Sequence, residues 1–248
     1  MKLLNIEELQ KHLNSLKVAR KVKLIQLHHT WSPNYSHFNG NNHLMLQKNM
    51  KTYHTKTKGW SDIGQHFTIF PDGKICTGRS LESNPAGIYG ANTGAICIEC
   101  LGNFDKGGDV MTEAQKEAIV ATVGMLLNKF NLSASDHVTY HAWWTSAGYE
   151  IGDYAKKSSV KTCPGTNFFG GNTLTAYERN LMPLITEYRK EHKTMAYKEV
   201  TTINDIVWEL SNAGIVTDSN LWLKKCEKDT DVYWLCRKMA NKLRGTLK

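Results

Sequence analysis

No stretch of this 248-residue chain approaches the roughly 20 apolar residues that a membrane-spanning helix requires, so no membrane insertion is expected. Residues Met1–Ile6 hold neither a long apolar core nor a small-residue cleavage site. The expectation is a chain made in the cytoplasm without a signal peptide, which acts elsewhere only after release. A dense basic run is also missing. Net charge is +8, but residues 1–194 carry 22 basic and 16 acidic side chains and residues 195–248 carry 9 and 7. Nucleic-acid binders concentrate basic residues on one face or arm, so no nucleic-acid partner is expected. A diffuse excess suits attraction to an anionic polymer surface. Six cysteines are present, yet a cytosolic origin disfavours a disulfide framework. They read as buried apolar groups or as a metal ligand.

Periodicity supplies the elements. Asn5 and Glu8 form a capping box ahead of an apolar stripe, Ile6, Leu9, Leu13 and Leu16. A strand follows over Val22–His29, then a helix over Asn42–His54. Gln65–Phe70 and Lys74–Gly78 make a hairpin about the Pro71-Asp72-Gly73 turn. Ala95–Leu101 is nearly all apolar and reads as a central strand covered on both faces. Thr112, with Gln115 as capping-box partner, starts a long helix to Phe130, and a strand follows over His137–His141. Ala142–Thr162 is a long polar loop, a feature more often functional than not. A helix over Thr175–His192 should face inward with Tyr177, Leu181, Leu184 and Tyr188, and Pro183 should bend or break it. Strands alternating with helices imply an α/β fold, a mixed central β-sheet flanked by helices. The reading places a first domain at 1–192, a linker at 193–199 and a small helical domain at 200–248. Three short helices fill that last domain. Ile206, Val207 and Leu210 mark the first, ended by Gly214; Leu221, Trp222 and Cys226 mark the second; Val232, Leu235, Cys236, Met239 and Leu243 mark the third.

Ten histidines raise a metal question. His12, His37, His43 and His192 are satisfied by ordinary structural roles. His28, His141 and Cys163 differ, because each sits where an element meets a loop. His28 and His29 are adjacent on a strand, where side chains alternate faces, so only one should bind metal. The same alternation separates Cys97 from Cys100 and argues against a zinc or redox C-x-x-C. Glu99 stands amid Ile96, Cys97, Ile98 and Cys100. A carboxylate there is costly unless paired or put to use, which marks it as a functional candidate.

Four blocks, in order, carry a resemblance. They are Leu27-His28-His29-Thr30; Gly59–Phe67 with the Pro71-Asp72-Gly73 turn and Gly78-Arg79; Asn92–Glu99 with Gly102-Asn103-Phe104; and His141 with Lys161-Thr162-Cys163-Pro164-Gly165. Over about Leu24–Phe169 the chain resembles the zinc N-acetylmuramoyl-L-alanine amidases, a group that includes phage lysins and peptidoglycan recognition proteins. The resemblance implies Zn2+ held by His28, His141 and Cys163, with Glu99 as general base and Lys161 stabilising the transition state. His29, Gln65 and Arg79 are implied as substrate-binding. Gln65 replaces a tyrosine of several relatives; it can hydrogen-bond but cannot act as a base, which leaves proton transfer to Glu99. Three protein ligands leave zinc's fourth position open for water, as catalysis requires.

The implied partner is bacterial peptidoglycan, and the implied reaction is cleavage of its muramoyl–L-alanine amide. With no leader, a phage or prophage endolysin is the expected setting. Related non-catalytic recognition proteins lose the cysteine ligand, whereas this chain keeps Cys163. A glycosidase would need two carboxylates at a defined separation, and only Glu99 stands out. The C-terminal helices loosely resemble modules of some lysins and are expected to bind the wall. Trp208, Trp222, Tyr233 and Trp234 would either stack on glycan or fill the core.

Overall fold

The computed structural model describes residues 1–155, 161–196, 203–212 and 214–228, together with Val232, Tyr233, Cys236 and Met239. These fall into two compact units, Met1–Arg189 and Lys190–Lys248. In the first, six strands form one sheet: β1 (Leu3–Leu4), β2 (Leu24–His29), β3 (Phe67–Ile69), β4 (Ile75–Thr77), β5 (Ala95–Cys100) and β6 (Val138–Tyr140). Their spatial order is β1-β4-β3-β5-β2-β6. β3, β5, β2 and β6 run parallel, while β4 and β1 add an antiparallel edge. The expected mixed sheet is therefore present.

Alternation sorts the two faces. Ile25, Leu27, Phe67, Ile69, Ile96 and Ile98 belong to the main core with Leu9 and Leu13 of α1 (Ile6–Ser15) and Ile119 and Leu126 of α3 (Glu113–Lys129). The other face carries Gln26, His28, Thr68, Cys97 and Glu99, residues of the opposite parity. Cys76 on that face joins Leu46 of α2 (His43–Thr52), Phe70 and Leu101 in a second cluster. A polar stripe on one face of a sheet marks where that face is used for something other than packing.

The α1 capping box forms in full: Glu8 N donates to Asn5 Oδ1 and Asn5 N to Glu8 Oε2, both at 2.8 Å. At α3 the expectation needs correction. Thr112 Oγ1 accepts the Gln115 N–H at 3.1 Å, but the Gln115 side chain does not reach back to the cap. Its amide donates to the Ile69 and Leu101 carbonyls, each at 2.9 Å; the Ile69 carbonyl also accepts the Leu101 N–H, but the Leu101 carbonyl depends on Gln115, a need greater than that of an exposed cap. The helical run that closes this unit and continues past Arg189 is also corrected. It comprises α4 (Leu174–Ala176), a π-turn at Tyr177–Leu181 and α5 (Met182–Ala196), continuous through Pro183. The wide turn advances the inward face by one residue, so Ile185 is buried and Leu184 is exposed. Helix α5 extends to Ala196, into the expected linker; residues 197–199 lie outside the described residues.

The second unit holds α6 (Ile203–Asn212) and α7 (Ser219–Lys228). Ile206, Val207, Leu210, Val216, Cys226 and Cys236 form its core, and Trp222, Val232 and Tyr233 pack against it. Gly214 follows α6 with φ +70°, a conformation that favours glycine. Leu221 lies in α7, the second of the expected short helices, with its side chain exposed. The third expected helix and the side chains of Trp208 and Trp234 fall largely or wholly outside the described residues.

Candidate active site

In an open sheet with parallel strands, ligands bind beyond the strands' carboxyl ends. Here those ends deliver the chemistry. β2 and β5 are in register so that His28 lies opposite Glu99, and Thr68 of β3 flanks Glu99 on its other side. β6 stops at Tyr140, and His141 follows at once in a single 3-10 turn, His141–Trp143. Cys163 comes from a loop that is tied down on both sides. Its carbonyl accepts the Ala142 N–H at 2.7 Å. The neighbouring Thr162 carbonyl accepts from Asn172 Nδ2, and the Asn172 carbonyl from Trp143 Nε1, both at 2.7 Å. From the β5 side, Asp105 accepts the Thr162 hydroxyl at 3.0 Å and the Thr166 N–H at 3.1 Å.

One ligand atom each from His28, His141 and Cys163 lies within 4.8 Å of the others. Cys163 Sγ is 3.5 Å from His28 Nδ1, and the two imidazoles meet edge to face with centroids 5.1 Å apart. They line a cleft of about 590 Å³ with Glu99, Lys161, His29, Gln65, Asp105, Trp31, His54 and Trp60. Burial governs the protonation of its walls. It drives His28 well below the usual imidazole range, helped by His141 and Lys161, and holds His141 and His29 at about 4. It lifts Glu99 to about 8, with Lys161 opposing, and lifts the Cys163 thiol, with Glu99 adding to the rise. Two neutral imidazoles and one thiol that needs a cation to ionise are a donor set suited to zinc, with one tetrahedral position left open.

Not every expected residue joins this group. His29 borders the cleft but stands apart from the three donors; its Nδ1 accepts the Phe104 N–H at 3.1 Å, as strand alternation requires. Gln65 also borders the cleft, with Nε2 donating to Thr68 Oγ1 at 3.0 Å and Oε1 buried without a partner among the described residues. Arg79 does not line the cleft. Its guanidinium is occupied by the carbonyls of Ile63, Asp62 and Asn84 at 2.7, 3.0 and 2.8 Å, so it fastens loops. His137, four residues before His141, is engaged with Ser133 after α3. Cys97 and Cys100 are buried thiols of β5 at positions of opposite parity, Cys100 in the main core and Cys97 on the face of Glu99. Sequence reasoning missed Gln26, Asp105, Trp31, His54 and Trp60. Only Gln26 left a clear signal, as a polar residue on the same strand face as His28.

The profile of the N-acetylmuramoyl-L-alanine amidase family matches residues 18–166. The chain is 32% identical over 152 residues to Peptidoglycan-recognition protein SC2 of Drosophila melanogaster, a match over 61% of this chain and 73% of that protein. It is 33% identical over 122 residues to the protein of the same name in Drosophila simulans, spanning 49% of this chain but only 58% of that relative's length. Among solved structures, wild-type Drosophila PGRP-LB shares the fold with a TM-score of 0.50 at 18% identity, over 66% of this chain and 84% of that one. Family profile, relative and fold agree, and the chain belongs to the N-acetylmuramoyl-L-alanine amidase family.

Proposed function

We propose that this chain is a peptidoglycan hydrolase that cuts the amide between N-acetylmuramic acid and the first L-alanine of the stem peptide. The observation that carries the reading is the close donor set His28, His141 and Cys163 on the floor of a cleft that also holds Glu99. Zinc held by those three residues would activate a water and polarise the scissile carbonyl. Glu99, beside His28 in register, is assigned as the group that takes a proton from the attacking water and hands it to the leaving amine. Lys161 at the rim is assigned to hold negative charge developing on the carbonyl oxygen. His29 and Gln65 contribute cleft wall against the substrate; Arg79 is left out of the site.

The curated relatives are named as recognition proteins, which gives a second reading, binding without cutting. The complete donor set with a buried carboxylate favours the enzyme. The proposal extends to a lysin of phage or prophage type, made in the host cytoplasm and acting on the wall after release, with residues 200–248 as a wall-binding domain. Its support is the resemblance of the four motif blocks and of the C-terminal helices to lysins.

Digestion of purified cell walls tests the reaction. Newly freed alanine amines, no new reducing sugar ends, and loss of activity on verified zinc removal are expected. Reducing ends without new amines would overturn the amidase reading, and intact walls after prolonged digestion would favour recognition.

A further inference from the structure

Gln26 is a fully buried polar residue two positions before His28, on the same face of β2. A buried amide must be satisfied, and the partners here fix its orientation. Gln26 Nε2 donates to the Ala91 carbonyl at 2.9 Å. The opposite end, Oε1, is therefore the one that lies 3.4 Å from His28 Nε2. An amide oxygen has no proton to give, so a hydrogen bond between the two requires the proton on His28 Nε2. A neutral imidazole protonated there keeps its lone pair on Nδ1. That is the nitrogen 3.5 Å from Cys163 Sγ, facing the other donors.

The loop over Gln26 holds the arrangement in place. A Cβ on Gly87 would stand 2.2 Å from Gln26 Oε1 and 3.2 Å from His28 Nε2. Glycine at this position is required by close approach alone. Asn92 Oδ1 accepts the N–H groups of Gly87 and Ile88 at 2.9 and 3.1 Å, and Ala91 N donates to the Ile88 carbonyl at 3.0 Å. One short loop thus covers the amide oxygen and supplies the carbonyl that orients the amide.

We infer that Gln26 is a positioning residue: it sets His28 in the Nε2-protonated tautomer and so presents Nδ1 to a bound metal ion. The inference rests on the metal reading proposed above. Partners of this kind, behind a metal-ligating histidine, commonly change metal affinity 10–100-fold when removed.

The test uses the full chain, metal-free at neutral pH, with long-range nitrogen–proton spectra of the histidine rings. His28 is expected in the Nε2–H form. In Gln26→Leu it should shift toward the Nδ1–H form, and zinc affinity, read by competition with a chromogenic chelator, should fall about 10–100-fold. Gln26→Glu retains an acceptor oxygen and should keep the wild-type tautomer. A wild-type His28 in the Nδ1–H form overturns the inference whatever the variants do. So does a Gln26→Leu protein with unchanged tautomer and affinity. If Gln26→Leu does not fold, Gly87→Ala, which displaces the same oxygen, must show the same two changes. A wild-type chain that takes up no zinc sinks the metal reading instead, and the metal-free spectra still score Gln26.

Discussion

Glu99 shows how far surroundings override residue type. Burial pushes its carboxyl up to about 8, and the ammonium of Lys161 pulls it back. Replacing it by Gln keeps shape and hydrogen bonding but removes the basic oxygen. Glu99→Gln is expected to lose at least about 100-fold in turnover, with zinc content by metal analysis unchanged; retained turnover would move the base elsewhere. His66 makes a different case. It is buried, its Nδ1 accepts the Cys97 N–H and its Nε2 donates to the Ser83 carbonyl, both at 2.9 Å. Burial first, then Arg20 and Arg79, hold it at about 4, against the 6.5 of an exposed imidazole. Because the folded value is depressed, the unfolded chain binds the proton first. The neutral ring's contribution is complete above pH 6.5 and is lost as pH falls from there toward 4, amounting to on the order of 3 kcal/mol. His66→Gln should be less stable than wild type at pH 7, with the gap closing toward pH 4 in urea titrations. A gap constant across that range would refute the assignment. The sequence exposed His28, His141, Cys163 and Glu99 because their positions, at strand ends and amid apolar neighbours, are local facts. Gln26 and Asp105 act through partners 65 and 57 residues away, which no local pattern encodes. Arg79 stood in a motif, and nothing in a motif says which carbonyls its guanidinium will meet.

At the scale of elements, α3 shows two hydrogen-bonding devices of unequal weight. Thr112 caps the helix and its hydroxyl also reaches the Pro71 carbonyl. Thr112→Ala should cost about 1 kcal/mol, the usual worth of such a cap. Gln115 is fully buried, satisfies Ile69 and Leu101 carbonyls and accepts the Tyr35 hydroxyl at 2.5 Å. Gln115→Leu leaves the Leu101 carbonyl unpaired and the Tyr35 hydroxyl proton without its acceptor, while the Ile69 carbonyl keeps the Leu101 N–H at 2.9 Å; it should cost about 2–4 kcal/mol, since each unsatisfied buried group costs about 1–3. Denaturant midpoints of the two variants should differ in that order; the reverse order would mean that the strand-end carbonyls find other partners. The sheet and the helices α1, α2 and α3 were legible because their apolar periods are unbroken. The run from Leu174 to Ala196 was legible as helix but not in phase. A π-turn leaves the composition of a helix unchanged and rotates everything after it, so Ile185 replaces Leu184 in the core. The two-residue edge strand β1 is too short for any alternation to register.

At the scale of the whole molecule, the question is what a second unit adds to a site that lies wholly in the first. Each unit has its own core: one runs from Leu9 to Tyr188, the other joins residues of α6 and α7 to Val216 and Cys236. Removing the second should therefore leave the first folded. Cutting after Ala196 keeps α5 whole and with it Ile185 and Tyr188, whereas a cut within the helix would strip its last turns. If the second unit binds the wall, it raises the concentration of the cleft near its polymeric substrate without touching the chemistry. The loss on truncation should then depend on the substrate. A chain ending at Ala196 is expected to match the full chain on a soluble muramoyl-peptide, with the same zinc content, and to fall at least about tenfold in sedimentation with intact walls, a loss of the size that tethering commonly supplies. A truncated chain that binds walls as tightly as the full one would remove the wall-binding assignment. Equal losses on both substrates would instead make the second unit part of the fold that supports the cleft.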